Sequence, residues 1–471
     1  MPFLFRHYAM VGAYGGGPCP PPAHVSPFVQ IFSFSHIGDI TVVQHFFRSS
    51  VHLPSVTTIR IQDAICGVPI ACLACCEVIP TLHSLEITDT QLTTLNPPNV
   101  VMSNPTLHSL SRFVYSINQW VLFGLASDDN DGRGTGMPLA ISSRSLRTLL
   151  EPMRGSLQSV ELTSHHGLFS WMASVRWPRL RELCFDGMYL DKDDVRAIRS
   201  LISNLPDLQV LGLKLARAVD AEEPILVKRS NSTSVTLRYL EKFTIAFPSP
   251  ADGIFDLLPS KLRHLSLRDW PRYYFMGDPA SSPTDLAMPI LSASECLAIL
   301  RRCHCPHLRS LEVVYRAGDE EDALLGYIVS SFPSLTMFEL HRYRASADEE
   351  VPMEHIVQIL AGLNSLCSLR LNLDLPTHQL HPYIWTPFFL VDPVKNDMIY
   401  RAKQCAGIIG PSLKEVSFIL RLHVKNEWRV WGLQRSKEGV VGAVKENTIH
   451  HVGTKFAVPP TLICGCDVRG N

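Results

Sequence analysis

The chain has 471 residues, of which 46% are hydrophobic and only 18% charged, against ~25% charged in an average soluble domain, so there is material for a long continuous core. Its 43 basic and 44 acidic residues give a formal net charge of -1. That balance excludes a bulk electrostatic pull toward nucleic acid or an anionic membrane.

Residues 1–27 contain Gly15-Gly16-Gly17 and a Pro18 to Pro22 cluster, which cannot build a regular element and predict a flexible leader. They lack the apolar run of a secretory signal, and no stretch approaches the ~18 apolar residues of a membrane span. Thirteen cysteines, several in apolar contexts (Cys66, Cys72, Cys75, Cys184, Cys367), point to a reducing compartment, cytoplasmic or nuclear. Phe28 to Phe47 is apolar enough to cap the first open end of the core.

From residue 56 onward one grammar recurs: an apolar residue at i, another at i+3 and a third at i+5, usually with Pro two residues before the first. It reads Val56/Ile59/Ile61, Leu82/Leu85/Ile87, Leu157/Val160/Leu162, Leu180/Leu183/Phe185, Leu208/Leu211/Leu213 and Leu240/Phe243/Ile245. It continues as Leu262/Leu265/Leu267, Leu308/Leu311/Val313, Leu335/Phe338/Leu340, Leu366/Leu369/Leu371 and Leu413/Val416/Phe418. Leu107/Leu110 starts a further triple that Arg112 interrupts. Steps between first positions run from 22 to 32 residues, with three of 46 to 50. That is the length and core of a leucine-rich repeat.

Each triple predicts a short strand with i+3 and i+5 inside and i+2, i+4 and i+6 outside. Between triples, Asp194 to Leu205, Ser294 to Cys305, Glu321 to Phe332 and Met353 to Leu363 carry apolar residues at helical spacing. Strands repeat every ~4.8 Å while packed helices need ~8 to 10 Å, so the helical layer is longer and the stack curves. The expected architecture is an α/β leucine-rich-repeat solenoid, a horseshoe with a parallel sheet on its concave face and helices on its convex face, spanning 28–435 with end caps.

The three long steps predict inserted loops near 111–140, 269–293 and 374–396. The first holds Ser127 to Gly134, too polar to bury; its Asp128, Asp129 and Asp131 do not meet calcium-loop spacing. The second carries Trp270, Tyr273, Tyr274 and Phe275, and the third His378, Tyr383, Trp385 and Phe388 before a helix at Asp397. Trp428 and Trp431 are placed to close the far end, and 436–471 has no period and predicts an irregular tail.

No phosphate loop, nucleophile elbow, metalloprotease helix or dinucleotide fingerprint is present. Cys303, Cys305 and His307 lack the paired spacing of a closed zinc site and are expected to pack as core thiols. No catalytic residue, metal or cofactor is therefore expected, and function is sought on the outward strand positions. Those are acidic in the earlier units (Glu86, Glu161, Glu182) and mixed in the later ones (Arg268, His341, Arg370, Asn372). Aromatics follow several strands: Trp270, Tyr315 and Tyr343. Trp and Tyr bury large area with little lost rotamer freedom, as interface anchors do. The expectation is a protein partner on the concave face, gripped mainly between 262 and 390 along one rim, with the acidic half steering its approach.

Units such as Trp177-Pro-Arg-Leu-Arg-Glu-Leu-Cys-Phe, Leu205-Pro-Asp-Leu-Gln-Val-Leu-Gly-Leu and Phe332-Pro-Ser-Leu-Thr-Met-Phe-Glu-Leu, together with Trp428 and Trp431, resemble the leucine-rich-repeat F-box proteins of mushroom-forming fungi over roughly 50–435. The resemblance implies a substrate-recognition part of an SCF-type ubiquitin ligase, holding a protein substrate in the horseshoe and docking on a cullin-RING adaptor. The Leu-Pro-x-Glu-Ile/Leu docking stretch of that family does not precede the repeats. Two alternatives follow from the residues: a repeat scaffold without ligase docking, or an enzyme whose site would show as a deep pocket with convergent titratable groups.

Overall fold

The structure, a computed structural model, describes residues 6–11, 21–22, 24–35, 53–64, 67–73, 79–93, 109–117, 137–164, 167–188, 192–218, 222–229, 236–246, 248–268, 286–287, 289–375, 388–421, 426–435 and 441–451. Their strands form one 17-stranded sheet and a separate two-stranded one. In chain order the strands of the large sheet are β1 (His7–Val11), β2 (Ile31–Ser35), β3 (Thr58–Gln62), β4 (Ser84–Thr88), β5 (Arg112–Ser116) and β6 (Ser159–Thr163). Then come β7 (Glu182–Met188), β8 (Val210–Ala218), β9 (Lys242–Ala246), β10 (His264–Arg268), β11 (Leu286–Ala287) and β12 (Ser310–Arg316). The last are β13 (Met337–Tyr343), β14 (Ser368–Asn372), β15 (Glu415–Arg421), β16 (Asn426–Arg435) and β17 (Val441–His451). From β1 to β15 each strand pairs in parallel with the next, except that β10 pairs directly with β12 and the short β11 runs antiparallel to the end of β8.

The pairing is in register, so equivalent positions of successive units stack. One column reads Leu265, Leu311, Phe338, Leu369 and Val416, the next Leu267, Val313, Leu340, Leu371 and Phe418, and all are almost fully buried. A repeated turn delivers each strand: the N–H of the first apolar residue donates to a carbonyl three residues earlier, as in Leu82 to Ile79, Leu208 to Leu205, Leu308 to Cys305, Leu335 to Phe332 and Leu366 to Leu363. The helices α1 (Met137–Met153), α2 (Leu168–Ser174) and α3 (Lys192–Ser203) pack in sequence order, and so do α4 (Ala293–Leu300), α5 (Glu321–Ser331), α6 (Met353–Leu360) and α7 (Phe388–Ile409), with the 3-10 helix Gly253–Leu257 falling between the two groups in the chain. In α4 the Ser292 hydroxyl accepts from the Glu295 N–H while the Glu295 carboxylate accepts from the Ser292 N–H, a reciprocal cap that fixes where the helix starts. The α/β repeat solenoid is thus the observed fold. No described helix is long and apolar enough to cross a membrane.

Several expected boundaries move. Arg112 does not break a unit: Leu110, Phe113 and Tyr115 are fully buried and form the triple, with Arg112 at the outward i+2 place. The expected insertion at 111–140 therefore begins with a strand, and 137–140 already belong to α1. Val29, Phe32 and Phe34 repeat the same grammar, so the expected N-terminal cap is itself a repeat strand. The sheet also runs past both ends of the 28–435 span. β1 lies within the expected leader and pairs with β2, and β17 lies within the expected tail and pairs antiparallel with β16. Main-chain pairing at a sheet edge needs no apolar period, which is why the repeat grammar missed both. The expected helix at Asp397 starts at Phe388 instead, inside the expected insertion at 374–396. Trp270, Tyr273, Tyr274, Phe275, His378, Tyr383, Trp385 and the 127–134 loop lie outside the described residues.

Candidate functional site: a polar ladder on the strand face

In-register stacking turns outward residues of separate repeats into continuous rows. One row reads Arg60, Glu86, Val114, Glu161 and Cys184, and further on Ser266, Glu312, Glu339 and Arg370. Arg60 with Glu86 and Glu339 with Arg370 are opposite charges side by side, while Glu312 and Glu339 are neighbours of like charge. In the earlier half, Arg60 Nε donates to Glu86 Oε2 at 2.7 Å. Arg112 sits among three carboxylates, 3.6 Å from Glu86, 3.9 Å from Glu161 and 4.0 Å from Glu182, and donates to Ser159 Oγ at 2.9 Å. Lys214 Nζ stands 3.7 Å from Glu161. Below them Asp186 accepts from Thr163 Oγ1 at 2.7 Å and Ser116 Oγ at 3.2 Å. Burial pushes the Asp186 carboxyl up despite the Lys214 charge nearby.

The later half holds a second cluster. His341 Nε2 is 3.0 Å from Glu339 Oε1 and 3.9 Å from Glu312 Oε1, while Asn372 Nδ2 lies 3.1 Å from His341 Nδ1. The outer oxygens face cations and a hydroxyl: Arg370 lies 3.2 Å from Glu339 Oε2, Arg268 3.6 Å from Glu312 Oε2, and Ser266 Oγ donates to the latter at 2.5 Å. The Trp428 ring packs edge-on against His341 with centroids 5.7 Å apart and lies 5.9 Å below the Arg370 guanidinium. The inner atoms of Glu312, Glu339 and His341 lie within 4.8 Å of one another, as metal ligands could. Two guanidinium groups already neutralise those carboxylates, which disfavours adding a dication at the centre.

Between the clusters the ladder is small and uncharged. Gly212 lies beside Cys184, and a Cβ built on it would stand 2.9 Å from the Cys184 sulfur, so the glycine is needed for the close approach.

Exposure decides which of the expected partner residues can meet a partner. Glu86, Glu161, Glu339, His341 and Asn372 are buried, engaged with neighbouring units. What reaches solvent is Glu182, with 46% of its side chain exposed, and the tips of Arg112, Arg60, Arg268 and Arg370 at 35, 28, 25 and 22%. The ladder is therefore a row of cationic tips above buried carboxylates, and the acidic character expected of the earlier half is mostly hidden.

The expected aromatic rim is corrected. Tyr315 is fully buried: it lies two residues past i+5 on the same strand, so alternation returns it to the interior, where its hydroxyl donates to Glu321 Oε1 at 2.8 Å. Tyr343 is buried in a satellite cluster with Val314, Ile419 and Trp428 on the strand face, which closes the floor of the later half. Arg60 and Arg112 were not among the expected partner residues; counting outward positions from Val56 and Leu110 finds both, at i+4 and i+2. The buried thiols belong to the core: burial pushes Cys296 up to about 12 and Cys305 up to about 11, and Cys303 Sγ donates to the Ile299 carbonyl at 3.4 Å.

No protein-family model matches the sequence, and no curated protein matches it. Among solved structures, it is similar to a chain in the crystal structure of the Rad7 and Elc1 complex in yeast. That chain is 14% identical, with 73% of this chain and 76% of that one covered and a TM-score of 0.41.

The ladder makes a pH prediction. Burial alone would raise the Glu339 carboxyl, but the hydrogen bond and proximity of His341, then Arg370 and Arg268, outweigh it and bring the group from 4.5 down to about 2. A depressed folded-state value means stability that is present above pH 4.5 and lost as the pH falls toward 2. Unfolding midpoints across that window should fall steeply for the native chain and less steeply for Glu339→Gln; parallel curves would refute the assignment.

Proposed function

We propose that the chain is a non-catalytic scaffold that holds a protein partner along its strand face. The observation that carries this is the set of guanidinium tips of Arg60 and Arg112 in the earlier half and Arg268 and Arg370 in the later half, each beside a buried carboxylate of a neighbouring strand. Long side chains held this way lose little further freedom on binding and present planar donor forks to acidic or carbonyl groups. The exposed Lys242 and His264 extend the same face at the strand starts. The finer reading, that the partner is a substrate for ubiquitin transfer delivered through a cullin-RING adaptor, is supported by the resemblance of the repeat units to leucine-rich-repeat F-box proteins.

Photo-cross-linking in the native cell tests the scaffold. A photoreactive residue at Lys242 or His264 should cross-link to a discrete partner, while the same residue at Gln358, exposed on α6, should not. Equal cross-linking from both faces, or from Gln358 alone, would refute the strand face as the docking side. Ubiquitylation of the captured partner, lost when the chain is deleted, tests the ligase reading.

A further inference from the structure

A cavity of about 250 Å³ opens at the C-terminal ends of β8, β10 and β12. The in-register sheet brings Arg217, Leu267, Arg268 and Val314 to it from these three strands. Its remaining walls come from the connections that follow the strands, and four of their residues are prolines: Pro224, Pro248, Pro250 and Pro289. Fixed proline φ angles make such walls rigid before any ligand arrives. The Pro289 wall is held in two ways. β11 pairs antiparallel with Arg217 and Ala218, and the Arg316 N–H donates to the Leu291 carbonyl at 2.7 Å.

Size and lining narrow the occupant. At about 250 Å³ the space is below the ~300 to 1,000 Å³ of small-molecule and cofactor sites, and suits a single residue of a partner chain. Its floor is apolar at Leu267, Ile290 and Val314, and its polar side is cationic at Arg217 and Arg268. Arg217 Nε is buried with no hydrogen-bond partner, and a buried donor left unpaired is costly until an acceptor arrives. Glu295, an exposed acid of the lining, already serves the Ser292 cap. Glu223 is exposed and unfavourable to a second negative charge beside the first. An apolar group and one carboxylate on the same residue describe the end of a polypeptide.

We propose that this cavity receives the C-terminal residue of a partner polypeptide, its carboxylate held by Arg217 and Arg268 and its apolar side chain resting on Ile290 and Val314. The arrangement uses a fork of N–H donors against a carboxylate, the strongest geometry for that group. This rests on the scaffold reading and names the chemistry by which that scaffold selects a partner. It also moves the grip of the later half from the closed floor at His341 to the rim at the strand ends.

The test uses the full chain and an immobilised array of pentapeptides randomised at their last two positions, each made as free acid and as C-terminal amide. Free acids ending in an apolar residue should bind at least about tenfold more tightly than their amides. Arg217→Gln should remove that difference, and Arg217→Lys, which keeps the charge but not the fork, should restore part of it. Arg196→Gln, on the exposed face of α3 and outside the strand face, should change nothing, and unchanged thermal midpoints confirm that each variant folds. Equal binding of acids and amides, an unaffected Arg217→Gln, or no binding anywhere in the array overturns the proposal. Lys242 cross-links that persist in Arg217→Gln would then leave the scaffold standing without this pocket. Acid-selective peptide binding with no partner cross-linked from the strand face would do the reverse.

Discussion

Replacing Arg342 by Ala should lower the unfolding free energy by ~3 to 5 kcal/mol, the cost of removing one member of a buried ion group and leaving the others uncompensated. Arg342 is 1% exposed, on the interior side of β13 beside Tyr315 of β12. Its Nε and Nη2 donate to the two oxygens of Glu321 at 2.7 and 3.0 Å, and Nη2 also donates to Glu349. Glu321 in turn accepts the Tyr315 hydroxyl. The group ties two strands to the start of α5 and to the connection before α6, so its loss should loosen adjacent repeats together. Chemical denaturation of Arg342→Ala checks the size of the loss. Arg342→Met is the informative companion, because an apolar side chain of similar length keeps the packing but not the charge. If both variants unfold at the native denaturant concentration, the ion group contributes nothing to stability.

Phe338→Ala should cost a similar ~3 to 5 kcal/mol, for a different reason. Phe338 is fully buried in the centre of its column, with Leu311 and Leu369 as its partners in the neighbouring strands. Truncation removes most of a ring from a site with strands on two sides, so the space cannot easily collapse, and the cavity term adds to lost transfer energy. An unchanged denaturation midpoint would mean that the ring is not where the stacked columns place it. Because each unit contacts chiefly its neighbours, the midpoint should shift with broadening as repeats near β13 unfold ahead of distant ones.

The repeat fold was legible because its cause is local. An apolar i, i+3, i+5 triple after a turn dictates one strand with two inward residues, and a unit that cannot bury its face alone must stack. Leu335, Phe338 and Leu340 are buried as that grammar requires. Where the triple was started three residues early, at Leu107, it slipped, because Arg112 then fell on the i+5 place; started at Leu110, the same spacing reads Leu110, Phe113 and Tyr115, all buried.

The site was legible only in part. Which residues point outward follows from alternation along one strand, and that much the sequence determined. Whether an outward residue meets solvent is decided by residues of other repeats, 26 to 87 positions away in the cases here. Glu86 is covered by Arg60 and Arg112, and His341 by Glu312, Asn372 and Trp428. Trp428 shows the limit most clearly. Its role at the far end was readable from composition, yet it lies three residues from Trp431, an odd interval that sends the two rings to opposite faces of β16. Trp431 closes the main core and Trp428 the strand face. The cavity at the strand ends has the same origin: Arg217, Arg268 and Pro289 are far apart in the chain and meet only because parallel strands in register end at one edge. Local periodicity thus determined the fold and the direction of each side chain. Exposure, charge pairing and the pocket depend on contacts between repeats, and only the tertiary structure decided them.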